Sequence, residues 1–323
     1  MPSTEAAGEV KGASLTGAGG WRQHAGGLAV PPQHLALALI ANLAWAFNWV
    51  AGKYGTEQFP PLLFTALRFS LLLLLLLPCL RPVPGRMVQV LQVATVLGVV
   101  HFGLIFVGIS VSGDISSVAI ASQLYVPLSA ALAALVLKEK LGWARALGIG
   151  VALSGVLLIG FDPNVIQHLD ALAFVTAAAA ALAVATILMR RLPGVGVLTM
   201  QAWIAAVAAP GMWLLTVLLE RGQLTALQQA TWLDYAAPTY SAVGSSLVGH
   251  GIVYWLLGRH PVALISTLML LAPVLAVVLG VWLWGDQLSW ELVLGGVLTL
   301  AGVAAVLARP RGPRPSGSGA GQQ

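Results

Sequence analysis

One hydrophobic pattern occurs twice in this chain, 147 residues apart, and the two copies carry opposite flanking charge. Leu137 to Gly155 reads LKEKLGWARALGIGVALSG, and Leu283 to Gly302 reads LWGDQLSWELVLGGVLTLAG. Glu139, Leu141, Trp143, Gly148 and Gly155 return as Asp286, Leu288, Trp290, Gly295 and Gly302. Lys138, Lys140 and Arg145 bracket the first copy, whereas the second has no basic residue. Basic residues collect on the cytoplasmic side of a bilayer, so the asymmetry puts the copies on opposite sides of a membrane. Repeats of inverted topology are a frequent plan of secondary transporters.

Composition supports a membrane setting. Hydrophobic residues make up 58% of 323 and charged residues 8%, against roughly 25% charged in a soluble domain. Helices satisfy their own backbone groups in lipid, and about 20 apolar residues span its core. The fold expected is therefore all-α and polytopic. Ten apolar segments lie near 34–52, 61–80, 88–110, 115–137, 143–161, 169–189, 197–219, 233–257, 262–284 and 290–308. They divide into a first five-helix repeat, 33–162, and a second, 163–308. Residues 1–32 and 309–323, rich in Gly, Pro and Ser, read as disordered cytoplasmic tails. With both tails inside, 13 of the 16 Lys and Arg fall on the cytoplasmic side; Lys53 and Arg221 fall in outer loops and Arg68 within a helix. Five helices per half is an odd number, so the second half must insert upside down. The net charge of +5 follows from these loops and tails and does not call for nucleic acid. The lone Cys79 excludes an internal disulfide, and no metal motif surrounds it.

At these residues the chain resembles the EamA family of the drug/metabolite transporter superfamily. The resemblance rests on AWAFNWVAGKYG (Ala44 to Gly55), PPLLFTALRF (Pro60 to Phe69) and the twice-occurring acid-x-Leu-x6-Gly-x6-Gly pattern. Within the family it is similar to bacterial exporters of cysteine and O-acetylserine. Asp286 departs from the pattern, which more often has Glu. Helix six departs too, with Leu182 and Thr186 opposite Trp45 and Asn48.

Polar groups at membrane depth are costly and tend to face a cavity or a partner. Trp45 and Asn48, three apart, share one face of helix one; they could wall a cavity or serve as an interface Trp and an interhelical bond. His101 and His250 occupy matching third helices, where neutral imidazole can bond a polar solute or mediate proton coupling; helix packing is the alternative. Tyr254 lies one turn from His250. Gln123 and Tyr125 precede Pro127 on helix four, and Met269 precedes Pro273 on helix nine. Each proline frees a carbonyl one turn earlier and bends its helix. Arg68 reads as structural or gating, because the family pattern carries an arginine there; a counter-ion for a substrate carboxylate is the alternative. Glu139 and Asp286 each precede a helix, where a carboxylate complements the dipole, and read as caps and loop locks.

The function expected is a secondary transporter in the bacterial inner membrane. It would export amino acids or related small metabolites by alternating access, without a cofactor. A drug exporter on the same scaffold is the alternative within transport. An intramembrane enzyme or lipid-handling protein is the alternative outside it, but no paired carboxylates, His-Glu metal motif or phosphate-binding loop appears. Facilitated diffusion and proton antiport both stay open, as do the direction of transport and the oligomeric state.

Overall fold

The structure, a computed structural model, describes residues 30–138 and 142–308, without the side chains of Val262 and Ala263. The two expected tails lie almost wholly outside those residues, and so does Glu139. Among the described residues eight helices are long and apolar enough to cross a membrane. These are α1 (Pro32–Gln58), α2 (Pro61–Cys79), α3 (Met87–Val111), α4 (Ile115–Val136), α6 (Ile166–Arg190), α7 (Val197–Leu219), α9 (Leu264–Trp284) and α10 (Trp290–Leu307). Between them lie α5 (Trp143–Ile159), shorter but apolar, α8 (232–257), whose winding changes along its length, and a short helical turn at Gln223–Gln229.

Local sequence explains the ends. Pro32 and Pro61 open α1 and α2 at a position where the missing N–H costs nothing. Asp114 caps α4 through Ser117, and Ser289 caps α10 through Leu292. Thr231 and Asp234 form a capping box at the start of α8. Large apolar side chains such as Leu135, Leu157, Val217 and Leu219 point outward, which lipid tolerates and water would not.

The helices exchange partners in a regular way. α1 packs on α8 and α9, while α6 packs on α3 and α4; α2 pairs with α7, and α5 with α10. The α5–α10 contact is made at the repeated glycines. Gly148 faces the Gly302 carbonyl, and Gly155 faces the Gly295 carbonyl, so the pair runs antiparallel. With no Cβ in the way, the two backbones touch. Trp213 Nε1 bonds Ser70 Oγ, and Glu220 accepts from the Leu62 and Leu63 amides, so α2 and α7 run antiparallel as well.

Both prolines bend their helices. α4 tightens at Ser122–Leu124 ahead of Pro127, and α9 breaks at Met269 and Leu270 ahead of Pro273. The freed carbonyl is taken up locally in α9, because the Ala272 amide donates to the Met269 carbonyl at 3.2 Å. Besides a short π-helical end to α9 at Gly280–Trp284, two longer π-helical stretches were not foreseen: Thr95–His101 in α3 and Ser241–Gly249 in α8. They lie at matching places in the third helix of each five.

The glycine contact gives a direct stability test. A methyl at Gly302 would lie 2.4 Å from the Ala152 amide nitrogen, whereas one at Gly150 meets nothing within 4 Å. Gly302→Ala is expected to destabilise the protein by about 1–3 kcal/mol. Gly150→Ala should be neutral or stabilising by up to about 1 kcal/mol. Thermal unfolding in detergent separates them, and equal melting temperatures would refute the close contact.

Candidate functional site

A cavity of about 920 Å³ runs between the helices. Every residue singled out from the sequence as a cavity candidate lines it: Trp45 and Asn48 from α1, His101 from α3, Gln123 and Tyr125 from α4, His250 and Tyr254 from α8, and Met269 from α9. Leu182 and Thr186, the α6 counterparts of Trp45 and Asn48, line it too. Arg68 and Pro273 also face it, while Pro127 is buried beside it.

The polar members are fixed by specific bonds. His101 Nδ1 donates to the Ala178 carbonyl at 2.8 Å, and His250 Nδ1 donates to the Ser245 carbonyl at 3.0 Å. A carbonyl can only accept, so in each neutral ring Nε2 is the acceptor. The Trp45 ring lies 5.2 Å from His250, and Tyr254 follows at 6.0 Å. Asn48 accepts from Ser241 Oγ at 2.6 Å, so it serves both the cavity wall and the α1–α8 contact. Arg68 neither reaches a membrane surface nor pairs with a helix end. It stacks on Phe102 and donates through Nη2 to Ser246 Oγ at 3.0 Å. Gln201, Ser245 and Ser246 escaped the sequence reading. A polar residue in an apolar helix, four or five positions from a histidine, was the available signal for the two serines.

The two ends of the cavity differ. At one end the lining includes Arg145 and Arg190, with Val197 and Leu307 beside them, and Arg190 and Val197 are exposed. Arg86 donates to the Pro193 carbonyl near this end. At the other end no lining residue lies beyond Ile109, and a bonded network closes the molecule. Asp286 Oδ2 accepts from the Ile115 amide, the Ser116 amide and Ser116 Oγ, at 3.0, 2.9 and 2.6 Å. Ser289 Oγ donates to Asp162, and Tyr54 donates to Asp234. Lys53 Nζ donates to the Ser112 carbonyl at 2.7 Å. Burial raises the Asp114 carboxyl from its ordinary range, while its bonds from Ser117 lower it.

Two expectations change here. Asp286 is a cap, but of α4 and not of the α10 that follows it; Ser289 takes α10. The Gly285 turn, with φ of 73°, sends the Asp286 side chain back across the fold. Lys53, expected in an outer loop, lies inside α1 and is 8% exposed. Its stem runs along apolar neighbours while its ammonium meets carbonyls at the end of α3.

Comparison with known proteins extends this geometry. The sequence model of the EamA-like transporter family matches residues 34–161 and again 170–308. The "Probable amino-acid metabolite efflux pump" of Salmonella typhimurium is 28% identical over 283 residues, 83% of this chain and 92% of that protein. The protein of the same name from Escherichia coli is 26% identical over 288 residues, with the same coverage. A solved crystal structure shares the fold at a TM-score of 0.57, with 21% identity over 85% of this chain and 96% of its own.

Unequal ends predict unequal accessibility. With Cys79 replaced by Ser, a thiol placed at Ser129 in the cavity should react with a water-soluble maleimide about tenfold faster than one at buried Ser112. Equal rates, read by mass shift in detergent, would mean that the cavity is not open to water.

Proposed function

We propose a function for this chain that starts from its place in the protein world: it belongs to the EamA-like transporter family and is an integral membrane transporter, not an enzyme. It exports small metabolites, with amino acids or their derivatives as the leading class. The observation that carries this reading is a cavity lined by helices of both sets of five, reaching the end with Arg145 and Arg190 and stopping short of the bonded end with Asp162 and Asp286. A volume near 920 Å³ accommodates an amino-acid-sized solute with water; drug-sized sites range over about 300–1,000 Å³.

The chain crosses the inner membrane ten times as two inverted repeats. The partner exchange supports this reading, since α1 stands to α8 and α9 as α6 stands to α3 and α4. So does the glycine contact. Gly148 meets Gly302 and Gly155 meets Gly295, although the repeat equates Gly148 with Gly295. Such crossed pairing is what a two-fold axis produces. Because α5 and α10 are antiparallel, that axis is perpendicular to both helices and lies in the membrane plane. The basic end faces the cytoplasm, with both termini on that side. The cavity then opens inward, ready to receive a cytoplasmic solute.

Alternating access follows from the same arrangement. The acid-rich end is held by bonds between the repeats, Asp286 to α4 and Asp162 to Ser289. Breaking them while closing the basic end would release the solute outside. The kinks at Pro127 and Pro273 provide bends in α4 and α9, next to the cavity. A drug exporter is the second reading, favoured by the aromatic wall of Trp45, Trp49, Phe69, Phe102 and Phe106.

Uptake of labelled amino acids, including cysteine and O-acetylserine, into proteoliposomes with and without a pH gradient tests the function. One solute class should enter, and His101→Ala or His250→Ala should slow it by about tenfold or more. Stimulation by the gradient would assign proton coupling, and its absence facilitated diffusion. A folded protein that moves none of the panel would refute amino-acid export.

A further inference from the structure

Arg68 holds a positive charge at membrane depth with no acid to balance it. It is 1% exposed, and its guanidinium carbon lies 4.5 Å from the Phe102 ring centre, with Phe69 and Phe106 at 5.3 and 5.4 Å. Nη2 bonds Ser246, but Nε and Nη1, both buried, have no partner. Aromatic faces offset only part of the cost of removing a guanidinium from water, and an uncompensated buried charge is strongly destabilising.

The described surroundings of Arg68 do not offset this charge. The other Lys or Arg residues that line the cavity are Arg145 and Arg190, and no Asp or Glu among the described residues lines it. A second buried donor facing the cavity, Trp45 Nε1, is also without a partner. It lies against the turn of α8 that carries Ser246, since a side chain at Gly249 would meet it at 2.7 Å. Orphan donors of Arg68 and Trp45 thus both face the cavity.

We propose that Arg68 binds the carboxylate of the transported solute through the N–H groups that have no protein partner. A carboxylate accepts charge-assisted bonds from a guanidinium and cancels its charge. The phenylalanines then act as a scaffold that orients the guanidinium plane, and Ser246 fixes its far edge. This inference rests on the export reading and narrows it to solutes with a free carboxylate. Solutes of the same size that lack a carboxylate are excluded, because they leave Arg68 without an anionic partner.

The test compares leucine, methionine and cysteine with their carboxamides, which differ by replacement of one carboxylate oxygen. In proteoliposomes of the full chain, each acid should inhibit uptake of its labelled form at least about tenfold better than the amide. Arg68→Lys should keep that preference, while Arg68→Gln should bring the ratio to about one. The acids, and not the amides, should also raise the melting temperature of the wild-type protein in detergent. Equal competition by acid and amide in the wild type, or a preference that survives Arg68→Gln, overturns the proposal and leaves amino-acid export standing. Neither uptake nor stabilisation by any of the six overturns both.

Discussion

The α5 and α10 backbones touch across paired glycines, and much of the remaining arrangement depends on that contact. Gly155 and Gly295 approach so tightly that a methyl on Gly155 would lie 2.5 Å from the Gly295 carbonyl, and Gly148 and Gly302 do the same one turn pair away. In lipid no hydrophobic force drives helices together, so contact distance and packing decide which surfaces meet. A glycine face on each last helix clamps the two sets of five together along one line. The first four helices of each set then form most of the walls of a space between the sets. Those walls carry nearly all the polar residues that lie deep in the chain.

Charge divides the remaining work. Acidic side chains at one end accept bonds from helix N-termini and hydroxyls of the opposite repeat. Asp286 alone satisfies two amides and a hydroxyl of α4. Each of these bonds joins groups that water could also satisfy, so the net contribution of one such bond is modest. The basic end has no comparable network of acids, and the cavity reaches it. Inside, His101 and His250 offer acceptors, whereas Arg68 and Trp45 offer donors without partners. Under the carboxylate proposal, a solute with a carboxylate and apolar bulk would meet both the orphan donors and the aromatic wall.

Much of this was legible in the sequence. Eight of the ten apolar segments agree to within a few residues with helices long and apolar enough to cross a membrane, and the other two with a shorter helix and an irregularly wound one, because span length is a local property. All eight cavity candidates face one space, because a polar side chain in an apolar helix has few places to go. Other features were not legible. Asp286 precedes α10 but caps α4, about 170 positions earlier, and no local pattern names a partner so remote. Lys53 reads as a loop residue by charge, yet a helix end packed against it supplies carbonyls that keep it inside. The π-helical turns before His101 and His250 differ from α-helix by one residue per turn, and only mid-helix glycines such as Gly98 and Gly244 hinted at them.

The central claim is that the two ends open in turn around one cavity. Distances between spin labels on the reconstituted protein, with Cys79 removed, measure this directly. One pair at exposed Arg191 and Arg259 reports the basic end, and one at exposed Glu57 and Gln287 reports the acid-rich end. On adding a transported solute, a population should appear in which the first distance shortens and the second lengthens. Distances that move in the same sense, or stay fixed while transport proceeds, would contradict alternating access.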